Sequence, residues 1–119
     1  MNRLEQKDRR RLRRKRHIRK TIAGTTERPR LSVFRSNRHM YVQVIDDEKR
    51  STVVAASSIE ADLRSLGNRV ADAAKLGEVV GKRLKEKKVG TVVFDRNGFA
   101  YHGIVKAIAD GVRKAGIRF

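Results

Sequence analysis

The stretch RLSVFRSNRHMYVQVIDD, residues 30–47, contains two runs of alternating apolar and polar side chains, separated by a short polar segment. In the second run, the alternation places Met40, Val42 and Val44 on one face and Tyr41 on the other. A period of two is the period of a β-strand, and the polar segment between the runs is typical of a turn. The stretch therefore predicts a β-hairpin with one apolar face and one polar face.

The chain beyond this hairpin predicts a third strand, a helix, a fourth strand and a second helix. STVVAASS (51–58) follows a charged turn and completes a meander, and VGTVVFD (89–95) reads as a buried strand ending in the turn DRNG (95–98). The first helix lies within 69–88, and its expected apolar stripe is Val70, Ala73, Ala74, Gly77, Val80 and Leu84. Small residues in that stripe suggest a close approach to the sheet. The second helix lies within 101–116, with Ile104, Val105, Ile108, Ala109 and Val112 inward.

This order of elements predicts an α/β fold with a mixed sheet and both helices on one face. A strand–helix–strand crossover makes part of the sheet parallel. The opposite face stays open unless the N-terminal arm folds back, and it carries Ser32, Phe34, His39, Tyr41 and Gln43. Such hydrogen-bonding and stacking groups suit ribose, phosphate and bases. The ordinary polar outer face of a half-solvated sheet is the alternative interpretation.

Positive charge is concentrated at the start of the chain. The 119 residues carry 30 Lys and Arg against 13 Asp and Glu, a net charge of +17, and residues 1–30 hold +10 of it. We therefore divide the chain into a basic RNA-binding arm, 1–28, and a compact α/β RNA-binding domain, 29–119. The expected phosphate contacts of this region are Lys7, Arg9, Arg10, Arg11, Arg13, Arg14, Lys15, Arg16, His17, Arg19, Lys20, Arg28 and Arg30.

The arm has the composition of a helix but no continuous apolar stripe. No Gly or Pro interrupts residues 3–22, whereas the leucines and isoleucines do not align on one face. We expect an arm with nothing to bury, disordered or frayed when free and helical on a polyanion. A solvated charged tail or a nuclear-localisation signal is the alternative. A membrane-surface helix would need an aromatic or leucine-rich face, which the arm lacks.

The sequence offers no active site. It contains no cysteine, no phosphate-binding glycine loop and no nucleophile motif, and its three histidines lack metal-ligand spacing. Asp46, Asp95 and Asp110 could in principle form a two-metal nuclease cluster, although Asp is also common in turns for local reasons. We expect no catalytic residue, metal, cofactor or small-molecule substrate. No apolar run is long enough for a membrane span, and no secretory signal is apparent, so no membrane partner is expected.

Two long motifs resemble a known family. At RPRLSVFRSNRHMYVQVIDD (28–47) and VVFDRNGFAYHGIVKAIADGVRKAGIRF (92–119), the chain is similar to the bacterial large-subunit ribosomal proteins of the eighteen family. The resemblance covers nearly the whole chain. It implies binding to 5S rRNA, contact with 23S rRNA and with neighbouring 5S-binding ribosomal proteins, and a cytoplasmic location in the large subunit's central protuberance. Asn97 departs from a frequent Gly of the family, and Ile104 from a frequent Arg.

The resemblance also implies particular RNA contacts. With the open-face residue Ser32, these are Arg35, Ser36, Asn37, Arg38, His39, Tyr41, Gln43, Arg96, Gly98, Tyr101 and His102. In this interpretation the arm binds phosphates, and the domain fixes the position of the protein along the RNA. The alternative is a non-ribosomal basic nucleic-acid-binding architectural protein.

Overall fold

A computed structural model describes residues 3–20, 22–36, 39–58, 60 and 69–119. Its helices and strands are α1 (Arg3–Arg19), β1 (Arg30–Arg35), β2 (Met40–Asp46), β3 (Ser51–Ser57), α2 (Val70–Glu86), β4 (Val93–Asp95) and α3 (Ile104–Lys114). Asn37 and Arg38, which belong to the predicted hairpin turn, lie outside the described residues. Within those residues, every helix is too short or too polar to cross a membrane.

The sheet is mixed, as the sequence predicted. Its strand order is β3-β2-β1-β4, with β1 antiparallel to β2 and parallel to β4. The hairpin register pairs Phe34 with Tyr41, so both rings lie on the face that was expected to be polar. β4 is shorter than the predicted strand 89–95, because the main chain at Gly90 and Val92 bonds to Arg118 near the C-terminus.

The hydrophobic core lies between the apolar face of the sheet and the helices α2 and α3. Met40, Val42 and Val44 are fully buried or nearly so, which confirms the predicted alternation of the hairpin. The five residues predicted to face inward on the second helix are also buried. The strand and helix periodicities of the sequence therefore identified these core positions correctly.

Four of the six residues predicted for the stripe of α2 are buried, whereas Ala74 is half-buried and Val70 is exposed. Ala73, Gly77, Val80 and Leu84 are buried, as are Leu76 and Gly81, which the stripe omitted. Val70 is 55% exposed because it is the first residue of the helix and lies outside the packed turns.

The small residues of α2 face α3, which corrects the expectation that they approach the sheet. A Cβ at Gly77 would collide with the main-chain oxygen of Ile108, and one at Gly111 with that of Ala74. Each helix thus provides a glycine at the point where the other backbone comes closest. The pair forms one rigid layer beneath the sheet.

The turn after β4 positions the N-terminal helix. Asn97 and Gly98 both have left-handed backbone angles, with φ of 54° and 79°. Asn tolerates this conformation better than most residues, and the Asn97 N–H donates to Asp95 Oδ1 at 2.8 Å. Asn97 therefore maintains the tight turn.

Candidate nucleic-acid interface

Helix α1 contacts the domain through the turn at 97–98. Arg11 Nη1 donates to the main-chain oxygen of Asn97 at 3.1 Å, and Arg14 Nε donates to that of Gly98 at 2.9 Å. A Cβ at Gly98 would collide with the main-chain oxygen of Arg11. Gly98, which was expected to contact RNA, is buried under the helix, so its position supports α1 and does not present a contact surface.

The arm has no fully buried residue, as expected, yet it packs on the domain through Arg11. The Arg11 guanidinium carbon lies 4.8 Å from the ring centroid of Phe99 and 5.8 Å from that of Phe34. A guanidinium can stack on aromatic faces while its N–H groups remain hydrogen-bonded. An apolar stripe was therefore the wrong feature to look for in this helix. Its free-state disorder remains a prediction.

Residues at helical spacing form the side of α1 that faces the domain. Arg11, Lys15, Ile18 and Ile22 are each half-buried and follow one another at intervals of four, three and four. This i, i+4, i+7, i+11 spacing is that of one helix face. The signal was present in the sequence, but two of the four positions are cationic and a hydrophobicity pattern does not detect them.

A chain of ion pairs connects the end of α1 to the sheet. Arg19 Nη1 lies 3.6 Å from Asp47 Oδ2, and Arg30 Nε donates to the same oxygen at 3.1 Å. Arg30 Nη1 also donates to Asp95 Oδ2 at 2.9 Å. Burial opposes the charge on Arg30, but hydrogen bonds from its guanidinium to Asp47 and Asp95 prevail and raise its pKa. The hydrogen bond from Arg30, aided by the Gly24 N–H, lowers the pKa of Asp47 despite partial desolvation.

Arg30 is thus held by the fold. Its side chain is only 12% exposed, and at least three of its N–H groups donate to carboxylates. The predicted contact of Arg30 with phosphate stays a prediction. In the structure Arg30 links the start of β1 to the turn after β2 and to the buried Asp95.

Two of the three aspartates considered for a metal cluster, Asp46 and Asp95, have structural roles. Asp46 Oδ1 accepts hydrogen bonds from the main-chain N–H groups of Glu48 and Lys49, and Oδ2 accepts one from Thr26 Oγ1. Desolvation opposes the charge on Asp46, but these hydrogen bonds outweigh it and lower its pKa. Among the described residues, no group of three or more His, Asp or Glu is arranged to hold a metal ion.

A cleft of about 620 Å³ lies between α1 and the open face of the sheet. We call it the basic cleft; its lining residues are Lys15, Arg19, Arg30, Ser32, Phe34, Ser36, Tyr41, Gln43, Ile45 and Asn97. The Phe34 ring lies 5.9 Å from Tyr41 and 5.7 Å from Phe99, centroid to centroid, and Phe34 is 41% exposed. The cleft therefore combines aromatic faces, hydroxyl and amide groups, and cations.

The structure brings several predicted contacts together in this cleft and places others around it. Ser32, Tyr41 and Gln43 line it, as predicted for the open face, and Ser36 joins them from the hairpin turn. His39 stands at one end, where its Nδ1 lies 3.2 Å from Ser58 Oγ and the ring is edge-on to Tyr41.

The remaining predicted contacts lie away from the basic cleft. Arg35 is exposed at the end of β1. Tyr101 and His102 are exposed beyond the turn at 97–98, and Arg96 donates to the main-chain oxygen of Phe99 at 3.0 Å. Asn37 and Arg38 lie outside the described residues.

The outward side of α1 is a row of cations. The exposed basic residues along it, with Lys20 just beyond the last turn, are Arg3, Lys7, Arg9, Arg10, Arg13, Arg16, His17 and Lys20. Among the residues that the structure describes, no ion pair joins any of them to a carboxylate. Like charges on one helix face repel, and a polyanion along this side relieves that repulsion. A docked cationic helix beside a polar, aromatic cleft defines the chain as a small basic α/β protein of the nucleic-acid-binding class.

Comparison with known proteins identifies the family. The family model described as ribosomal L18 of archaea, bacteria, mitochondria and chloroplasts matches residues 5–119. The large ribosomal subunit protein uL18 of Treponema denticola is 62% identical over 113 residues, covering 95% of this chain and 94% of that protein. The corresponding protein of Thermotoga petrophila is 51% identical over 118 residues, covering 97% of both. The chain belongs to the ribosomal L18 family, which confirms the resemblance and excludes the non-ribosomal alternative.

Proposed function

We propose that the chain binds 5S rRNA and helps attach it to 23S rRNA in the central protuberance, next to other 5S-binding proteins. As a member of the ribosomal L18 family it is a structural constituent of the large ribosomal subunit in the cytoplasm. Its task is therefore assembly and positioning of rRNA. We propose no catalytic role for it, and no cofactor, membrane or small-molecule substrate.

The observation that carries this proposal is the two-sided character of α1. One side is fixed to the domain by Arg11 and Arg14, and the other presents cations to solvent. A helix held in this way presents a row of cations that an RNA backbone can follow. Released counterions supply much of the affinity, and arginine forks can grip phosphates bidentately.

The domain then fixes the position of the protein along the RNA. We assign phosphate neutralisation to residues 1–28 and shape recognition to residues 29–119. In the basic cleft, Tyr41 offers an aromatic face to an unpaired base, and Ser32 and Gln43 offer hydrogen bonds to ribose or base edges. Ser36 lines the cleft and His39 stands at one end of it, where an RNA strand would leave.

The two roles can be separated by a salt series with purified protein and 5S rRNA. The double variant Arg13→Ala/Arg16→Ala removes two phosphate contacts. The fall of log K, where K is the association constant, with log salt concentration should therefore become less steep by about 1.4–1.8. Lys75→Ala/Lys82→Ala, two exposed lysines of α2, removes the same charge away from the cleft and should change the slope much less.

Tyr41→Ala should leave the slope unchanged and reduce the preference for 5S rRNA over tRNA. Tyr41→Phe is the matched control, since it retains the ring. The assignment fails if both tyrosine variants bind the two RNAs as the unmodified chain does, or if the lysine pair lowers the slope as much as the arginine pair.

A further inference from the structure

A second cleft lies on the other side of α1, at the β4 edge of the domain. Its volume is about 350 Å³, within the range of about 300–1,000 Å³ typical of ligand pockets. We call it the aromatic cleft; its lining residues are Ile18, Ile22, Phe94, Arg96, Tyr101, Arg113 and Phe119. It shares no residue with the basic cleft, and five of its seven residues were not among the predicted contacts.

The aromatic rings of this cleft are mutually ordered. Phe94 and Phe119 stack with centroids 5.3 Å apart and planes at 16°, and Tyr101 meets Phe94 edge-on at 5.7 Å. The Arg113 guanidinium carbon lies 4.2 Å from the centroid of Phe119. Tyr101 is nonetheless 42% exposed, so the ordered cluster presents an accessible aromatic surface.

Two guanidinium groups flank this surface. Arg113 makes long hydrogen bonds to Tyr101 Oη, at 3.5 Å, and to the main-chain oxygen of Phe119, at 3.4 Å. Arg96 donates to the main-chain oxygen of Phe99 at 3.0 Å. Each guanidinium has five N–H donors, so these bonds leave donors for a phosphate or a base edge.

We propose that the aromatic cleft binds one unstacked base of an RNA strand, with its phosphate held by Arg113 or Arg96. The inference rests on the proposed function, because it assigns the same class of ligand to a second site. An aromatic face flanked by arginines matches the stacking surface and charge of a nucleotide. A second copy of the chain is disfavoured as the occupant, since each copy carries a net charge of +17.

The aromatic cleft depends on the docking of α1. Ile18 lies in α1 and Ile22 just beyond it, and together they form a wall opposite Phe94 and Tyr101. If the helix leaves the domain, this wall leaves with it. Phosphate binding along α1 and base binding in the aromatic cleft should therefore reinforce each other.

The chain contains two tyrosines and no tryptophan, so each cleft carries its own fluorophore. In Tyr41→Phe the remaining emission comes from Tyr101 in the aromatic cleft, and in Tyr101→Phe it comes from Tyr41 in the basic cleft. Each variant is titrated with 5S rRNA, and free tyrosine at equal absorbance corrects for light absorbed by the RNA. We expect the emission of Tyr101 to be quenched in proportion to bound RNA.

The outcomes separate the inference from the proposed function. Quenching of Tyr41 with unchanged Tyr101 emission, while RNA is bound, overturns the aromatic cleft as a base site and leaves the proposed function standing. If neither tyrosine is quenched and the chain does not bind 5S rRNA, both the inference about the aromatic cleft and the proposed function are overturned. Quenching of Tyr101 by an acidic polypeptide such as poly-glutamate, but not by RNA, would assign the cleft to a protein partner and overturn the inference.

Affinity provides an independent readout. Tyr101→Ala should weaken 5S rRNA binding by roughly 5- to 100-fold, the loss expected for one base–aromatic stack. Tyr101→Phe keeps the ring and should remain within about twofold on the same stacking argument. The slope against salt should not change in either variant, since neither removes a charge. Equal affinities for the alanine and phenylalanine variants would contradict base stacking at this position.

Discussion

The Arg11 guanidinium stacks on the ring of Phe99, 4.8 Å from its centroid, and this contact attaches a helix that has no buried residue. Arg11 also donates to the carbonyl of Asn97, next to the glycine that α1 covers. A basic side chain here performs the packing that a leucine performs in most helices. Because Arg11 and Arg14 hold the helix on the domain, the exposed arginines of its outward side remain available to a polyanion.

Arg11→Ala should loosen α1, whereas Arg13→Ala, which removes the same charge from the exposed side, should not. Loss of one cation–π contact and one hydrogen bond amounts to about 1–2.5 kcal/mol, or about 5- to 70-fold in the docking equilibrium. Hydrogen exchange of the amides in residues 3–19 measures this directly. Equal exchange in the two variants would mean that Arg11 does not anchor the helix.

Arg30→Met should destabilise the domain strongly. It leaves the carboxylate of Asp95, which is fully buried, without its ionic partner, and breaking such a pair costs about 3–5 kcal/mol. The exposed neighbour Arg28 is the control, and Arg28→Met should stay within about 0.5 kcal/mol. Urea unfolding followed by circular dichroism gives both values. Similar free energies of unfolding for the two variants would place Arg30 outside the structural network.

Acid should weaken the fold through the aspartates of this network. The pKa values of Asp46 and Asp47 are lowered in the folded chain, so their carboxylates contribute stability above the unfolded pKa of about 3.9. That contribution is lost as the pH falls through the lower, folded-state pKa. Asp47→Asn should therefore be less stable than the unmodified chain at pH 7 and should lose less stability between pH 5 and pH 3. Parallel losses in the two proteins would show that Asp47 is not linked to folding.

The sequence was sufficient for the sheet and for one of the covering helices. The alternation around Val42 and the inward positions around Ile108 are strong periodic signals, and both are present in the structure. The packing of the helices on each other was harder to predict. Gly77 and Gly111 each adjoin the other helix, and a small residue in a stripe does not indicate which neighbour approaches it.

The candidate interface was predictable in composition and not in geometry. The polar face containing Ser32 and Tyr41 follows from the strand period, and the structure places both in the basic cleft. The arrangement of the arm could not be predicted, because its domain-facing side is partly arginine. The ion pairs of Arg30 could not be predicted for a related reason, because its partners Asp47 and Asp95 are far from it in the sequence.

The most direct test of the account is a filter-binding titration of the purified chain with 5S rRNA, with tRNA and duplex DNA as competitors, over a series of salt concentrations. We expect tight binding that survives moderate salt and an excess of either competitor, because the clefts add shape recognition to the charge of α1. Equal binding of all three nucleic acids, collapsing together as salt rises, would contradict the account. The chain would then act only as a polycation under these conditions.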